Sequence, residues 1–418
     1  METLILGWYV LVETESVLLL TLFASLQYIG TLFAPIFGVA GHRMGNKKLL
    51  GIMRATYAAL AAALMVLAFL DALNPVYVFV IAALTGMVRP SDLVMRFALI
   101  GETMPADSLL GATSFSHTTQ HVARILGALA GAGLVATLGM GPAYSVIACL
   151  YTASFMLTLG VAGTRPQQTA VFADSGSPRD NTVAENPAAA AGATARSPQT
   201  AVFAGNESAR PSPWHDLRDA ATYVWTTPQL LAAMAIAFLV NLTAFPLVMG
   251  LLPYVAKEIY GTDQTGLGYL VASSACGALL GTLALSRTGH VIRAGRMMIG
   301  FCAVWYALIL AFAQTRNPAG GIALLLLAGV AQSLSLVPML AMLLRTSDAE
   351  FRGRVIGMRM LAIYSLPIGL MISGPLIDRF GYPATATLYC AIGLMFTLWI
   401  ALRWRDHLWK LDAPANLR

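Results

Sequence analysis

Long apolar runs constrain this chain more than any other feature of its sequence. Eleven runs approach the ~20 residues that an α-helix needs to cross the hydrocarbon core of a bilayer. They cover residues 17–40, 49–70, 76–100, 109–138, 143–161, 230–255, 266–285, 297–312, 320–344, 355–377 and 384–402. Only 11% of the 418 residues are charged, whereas soluble globular proteins carry about 25%. The sequence therefore predicts an all-α integral membrane protein, and it excludes an ordinary soluble enzyme and most nucleic-acid-binding proteins.

A shorter apolar run over residues 4–12 precedes these eleven. At ~1.5 Å of rise per residue, such a segment is too short to cross a bilayer. We number it helix 1 and interpret it as the remnant of a transmembrane helix whose first half is missing from this chain.

Residues 164–213 interrupt the apolar pattern. They are rich in Ala, Pro, Ser, Gly and Thr, and a 15-residue stretch that begins at Arg165 recurs in altered form from Arg196. Because they hold too few large apolar residues to form a core, we predict a disordered cytoplasmic linker with a tandem repeat. A short amphipathic helix is predicted to follow, with Val224 and Trp225 on its apolar side.

The linker divides the helices into two groups. We predict an amino-terminal bundle over residues 1–163 and a carboxy-terminal bundle over 229–403. The amphipathic surface helix occupies 214–228, and a cytoplasmic tail covers 404–418. Three pairs of glycines at one constant offset support two like-oriented bundles, as in transporters built from parallel repeats. These pairs are Gly111 and Gly353, Gly127 and Gly369, and Gly139 and Gly381.

Basic residues are concentrated in alternate loops. The turns after helices 2, 8 and 10 and the tail contain Arg43, Lys47, Lys48, Arg287, Arg293, Arg296, Arg345, Arg352, Arg354, Arg403, Arg405 and Lys410. Cytoplasmic loops of membrane proteins carry an excess of Lys and Arg. We therefore predict a multi-pass protein of the cell inner (plasma) membrane, with the central loop and the carboxy terminus in the cytoplasm.

The turn between helices 2 and 3 carries a motif. Residues 38–48 read GVAGHRMGNKK, which resembles the Gly-x-x-x-Asp-Arg-x-Gly-Arg-Lys pattern of the major facilitator superfamily. The positions that fit are Gly38, Arg43, Gly45 and Lys47. His42 and Asn46 replace the two charged residues that usually latch this gating loop. The resemblance implies two bundles of six helices, a cavity lined by helices 1, 4, 7 and 10, and a complete helix 1 that begins upstream.

Further stretches are similar to the drug and siderophore exporters of that superfamily, the branch that includes macrolide efflux pumps and the enterobactin exporter. They lie around Pro253, Gly268 and Gly281 in helices 7 and 8, from Arg124 to Gly131 in helix 5, and around Arg352 before helix 11. This resemblance implies export of a small molecule.

Three charged residues follow one face of helix 4 near its predicted cytoplasmic end: Arg89, Asp92 and Arg96. An acid that precedes a base by four residues is in the favourable order. Charges at membrane depth are functional candidates, because each costs about 2.5–3.5 kcal/mol to insert. Two interpretations stay open. One is a structural ion cluster, and the other is a gate that breaks and reforms during transport.

Helix 5 carries a second polar face, formed by Ser114, His117, His121 and Arg124. Such a face lines water or another helix rather than lipid. Histidine is suited to carry a coupling proton, and arginine is suited to bind an anion. Hydrogen bonding between helices without a transport role is the alternative. A metal site at His117 and His121 lacks a third ligand nearby in sequence, so neither a metal nor another cofactor is predicted.

Helix 7 supplies the last pathway candidate, Asn241, and Pro246 after it predicts a bend at the cavity. Acidic candidates for proton binding are few: Glu13, Glu15, Asp92 and Glu102. Because the basic candidates of helices 4 and 5 outnumber them, we expect an anionic or zwitterionic substrate, such as a siderophore.

Together these patterns predict a secondary transporter that exports a drug-like or siderophore-like molecule by alternating access, with proton antiport. Its expected partners are the substrate, protons and the lipid bilayer. The sequence offers no catalytic constellation and no phosphate-binding loop, so we expect no enzymatic activity. An uptake permease of the same fold is one alternative. A non-transporting membrane sensor or degraded transporter is another, and the short helix 1, His42 and Asn46 favour it.

Overall fold

The computed structural model describes residues 1–30, 46–103, 109–160, 221–288, 294–347, 355, 358–359 and 362–405. Several predicted features lie outside the described residues, namely the motif residues Gly38, His42, Arg43 and Gly45, the linker at 164–213 and the tail beyond residue 405. The side chains of residues 90–103 and 109–117 lie outside them as well.

The described chain is built from helices, which we number in chain order. They are α1 (Glu2–Thr14), α2 (Val17–Leu26), α3 (Asn46–Phe69), α4 (Pro75–Thr103), α5 (Leu109–Leu138), α6 (Met140–Gly160), α7 (Pro228–Phe245), α8 (Gln264–Thr288), α9 (Ala294–Gln314), α10 (Pro318–Thr346), α11 (Ser365–Phe380) and α12 (Tyr382–Arg403).

Within the described residues, eight helical stretches are long and apolar enough to cross a membrane. These are Lys47–Phe69, Thr118–Leu138, Met140–Gly160, Pro228–Gly250, Gln264–Arg287, Ala294–Gln314, Pro318–Leu343 and Tyr382–Arg403. Large apolar side chains such as Leu150, Leu157 and Leu402 are exposed, as lipid-facing positions require. The prediction of an all-α membrane protein is therefore confirmed.

The chain after α7 departs from a regular α-helix, as Pro246 predicts. Residues Pro246–Gly250 form a π-helical turn, Leu252–Tyr254 a single α-helical turn, and Val255–Ile259 a second π-helical turn. Proline donates no backbone hydrogen bond and disturbs the ladder before it. We call residues 246–259 the α7 extension.

The helices on each side of the 161–220 stretch pack among themselves. Before it, α3 contacts α4 and α6, and α1 contacts α2, α4 and α5; after it, α10 contacts α8 and α9, and α7 contacts α11 and α12. The most extensive contacts between these sets are those of α2 with α11 and of α5 with α8, and α1 also contacts α8 and Leu252–Tyr254. The predicted boundaries of the two bundles stay a prediction.

The predicted surface helix is described in part. Residues 221–226 are helical, while residues 214–220 lie outside the described ones. Val224 is 3% exposed, whereas Trp225 is 75% exposed. The amphipathic character of the 214–228 segment stays a prediction.

Close contact between α8 and α10 depends on small residues. A methyl group added at Gly277 would overlap the carbonyl oxygen of Leu326, and one added at Gly329 would overlap that of Ser274. Small residues let membrane helices approach closely, so that their backbones are in contact.

We expect Gly277→Ala to destabilise the protein, because α8 and α10 must separate to admit the methyl group. Overpacking of this kind costs about 1–3 kcal/mol of unfolding free energy. The measurement is the midpoint of thermal aggregation in detergent. Gly300→Ala is the matched control, since nothing lies within 4 Å of its added methyl group. An equal effect of both substitutions would contradict the close contact.

Candidate substrate-binding cavity

A cavity of about 240 Å³ lies where the two helix sets meet. Its polar lining residues are Thr3, Gln27, Tyr28, Arg89 and Arg124. The remaining lining is apolar or glycine, with side chains such as Phe23, Val248, Leu267 and Val271. Among the described residues, the lining includes two guanidinium groups and no carboxylate.

The helices that line the cavity differ from those that the superfamily resemblance implied. Residues of α1, α2, α4, α5, the α7 extension, α8 and α11 contribute, while the described part of α10 contributes none. The reason is packing, because α10 lies against α8 and α9. The implied set of helices 1, 4, 7 and 10 stays an expectation, because the side chains of residues 90–103 and 109–117 lie outside the described residues.

Arg89 of α4 is held in place by two neighbours from other helices. Its Nη1 donates a hydrogen bond to Oε1 of Gln27 at 2.6 Å, and its Nη2 donates to Oγ1 of Thr3 at 3.0 Å. A guanidinium has five N–H donors, so these two bonds fix the group and leave other donors for a ligand.

Arg124 of α5 is the second cation of the cavity. It is partly buried and lies within Coulombic range of Tyr28, which follows the end of α2. Ala128, one turn further along α5, also lines the cavity. The helix therefore presents a charged position and then a small one, as its sequence pattern predicts.

The structure places the other predicted site residues elsewhere or leaves them outside its description. His121 and Asn241 are described but do not line the cavity, and the Asn241 amide donates to the carbonyl oxygen of Ala237 in its own helix at 2.8 Å. Lys47 lies in the first turn of α3. The side chains of Asp92, Arg96 and His117 lie outside the described residues.

Glu2 is the residue that the sequence analysis missed. It lies in the first turn of α1, is only 6% exposed, and its Oε2 accepts a 2.6 Å hydrogen bond from the hydroxyl of Tyr151 on α6. Tyr151 also lies within Coulombic range of Arg89. The signal was an acidic residue just before the first apolar run. It was overlooked because the predicted helix began at residue 4.

Comparison with known proteins places this architecture in a family. The model of the Major Facilitator Superfamily matches residues 4–370. No curated protein sequence matches the chain.

Three solved structures share the fold at low sequence identity. The human organic anion transporter MFSD10 (TETRAN) has a TM-score of 0.58 and 16% identity, over 92% of this chain and 83% of its own. A mutant of the nucleoside transporter NupG has a TM-score of 0.64 and 14% identity, over 96% of this chain and 94% of its own. The D-xylose-proton symporter has a TM-score of 0.66 and 12% identity, over 95% of this chain and 94% of its own.

The three structures agree with the family match and show the fold alone, without the substrate. The match covers most of the chain, and the apolar helices give it the multi-pass character that the family requires. The chain belongs to the Major Facilitator Superfamily.

Proposed function

We propose that this protein is a secondary transporter that moves a small organic anion across the membrane by alternating access. The observation that carries the proposal is that Arg89 and Arg124 line one cavity between the two helix sets. Charges interact more strongly in a site of low dielectric constant than in water, and arginine matches planar anionic groups. The human organic anion transporter is a precedent for such a substrate in this fold.

Contacts between α1 and the α7 extension support the alternating-access part of the proposal. Gly7 packs near Pro253. Nζ of Lys257 donates to the carbonyl oxygen of Leu11 at 3.4 Å and pairs with Glu258 at 3.6 Å. The contacts of Gly7 with Pro253 and of Lys257 with Leu11 join the two helix sets on the side that the distribution of basic residues assigns to the outside. Few such bonds must break for that side to open.

For direction, we propose export through the inner membrane, as the sequence resemblance to exporters implies. An inside-negative potential drives each negative charge outwards by about 2.3 kcal/mol per 100 mV. Export of an anion is therefore favourable without exchange for protons, and antiport would add to this drive.

Uptake by proton cotransport is the second candidate, and the position of Glu2 favours it. Arg89 binds the hydroxyl of Thr3, the residue next to Glu2. A protonated Glu2 removes a negative charge near the arginine pair, so a proton and an anion would favour each other's binding.

Transport in oriented membrane vesicles tests the proposal. Radiolabelled benzenesulfonate is a suitable probe, because it stays anionic over the whole working pH range and crosses lipid poorly. We expect inside-out vesicles to accumulate it when their lumen is made positive. Accumulation only in right-side-out vesicles with an acidic exterior would instead establish uptake. No protein-dependent movement in either orientation would contradict the proposed function.

A further inference from the structure

The cavity has two chemically different walls. The five polar lining residues among the described ones all precede the 161–220 stretch. Thr3, Arg89 and Arg124 lie on α1, α4 and α5, and Gln27 and Tyr28 follow the end of α2. Every lining residue after that stretch is apolar or glycine, and Val248, Leu267 and Val271 are examples. The first wall also holds apolar side chains such as Leu4, Leu20 and Phe23, so a substrate meets the arginines on that wall alone and hydrocarbon on both walls.

We infer that the substrate is a compact amphipathic anion, with one carboxylate or sulfonate group on the arginine pair and an apolar body against the α7 extension and α8. This inference rests on the proposed function and goes beyond it by specifying the uncharged part of the molecule. A simple inorganic anion or an acid with polar groups all round would leave the apolar wall in contact with water or with polar atoms.

The volume of the cavity restricts the size of this anion. Sites for drug-sized ligands measure about 300–1,000 Å³, and this cavity measures about 240 Å³. A methyl group added at Gly7 would be in van der Waals contact with Pro253, Phe23 and Leu20, at 3.5–3.8 Å. The wall has little further space at this point. A single-ring or short-chain acid fits these limits better than a siderophore does.

Val271 is the residue that we expect to determine specificity for the apolar body. It lies on α8, lines the cavity and is partly buried. Val271→Thr keeps the shape of the side chain and replaces a methyl group with a hydroxyl group. The substitution changes the polarity of the wall without opening a hole in it.

Binding of four matched probes to the full chain in lipid nanodiscs tests the inference. The probes are benzenesulfonate, methanesulfonate without an apolar body, neutral benzenesulfonamide, and the benzylammonium cation. We expect benzenesulfonate to bind about tenfold or more tightly than each of the others. Val271→Thr should weaken its binding about threefold or more and leave methanesulfonate unchanged. Val304→Thr on the exposed face of α9 is the matched control and should change neither.

The outcomes separate this inference from the proposed function. Equal binding of the two sulfonates would overturn the amphipathic substrate and leave the anion site standing. Tighter binding of the sulfonamide or of benzylammonium would overturn the anion site itself, and so would the failure of all four probes to bind. An equal effect of Val271→Thr on both sulfonates would overturn the role of Val271.

Discussion

Replacement of Arg124 with glutamine is expected to abolish transport of benzenesulfonate while the protein stays folded and inserted. Arg124 supplies one of the two guanidinium groups that line the cavity among the described residues, and glutamine keeps a polar side chain of similar reach. Loss of one partner of a desolvated charge interaction costs about 2–5 kcal/mol, which corresponds to a decrease of at least about thirtyfold in transport efficiency. The measurement is the initial rate in vesicles at equal amounts of protein.

Arg54→Gln is the matched control for this experiment. Arg54 is another partly buried arginine in a membrane helix, but its Nη1 donates to Oγ of Ser154 at 2.6 Å and does not face the cavity. We expect this variant to transport at close to the wild-type rate. Undiminished transport by Arg124→Gln would remove Arg124 from the site, and an equal loss in both variants would indicate a general effect of removing buried arginines.

The positions of the helices could be predicted from the sequence because apolarity and length are local properties. The predicted run over 109–138 has the same bounds as α5, whose end is marked by Gly139 with a positive φ of 81°. That Arg124 does not face lipid could be predicted for a related reason. A charge within an apolar span must avoid lipid, so it faces either a cavity or another helix.

The composition of the cavity could not be predicted in the same way, since it depends on which helices pack in front of which. Gly277 of α8 contacts Leu326 of α10, which comes about fifty residues later in the chain. This contact holds α10 behind α8. Gln27 could not be identified from the sequence, because a single amide within the apolar run 17–40 has no evident role until Arg89 is seen to bind it. The lining of the cavity is therefore determined by tertiary contacts between helices and not by the periodicity of apolar residues in the sequence.

Replacement of Glu2 with glutamine is expected to tighten the binding of benzenesulfonate at least about fivefold at neutral pH, a typical strength of coupling between two sites. The sign follows from charge, because the carboxylate of Glu2 opposes an anion near Arg89 and the amide of glutamine does not. Glutamine also keeps an oxygen that can accept the hydrogen bond from the hydroxyl of Tyr151. The measurement is the dissociation constant of the probe with the full chain in lipid nanodiscs.

Glu13→Gln is the matched control, since Glu13 lies on the same helix α1 but is exposed and does not line the cavity. We expect this variant to bind the probe as the wild type does. Unchanged binding by Glu2→Gln would contradict the effect proposed for Glu2, and an equal gain in both variants would indicate a general effect of removing an acidic residue from α1. Tighter binding by Glu2→Gln would favour the uptake candidate, because cotransport requires that a neutral Glu2 and a bound anion stabilise each other.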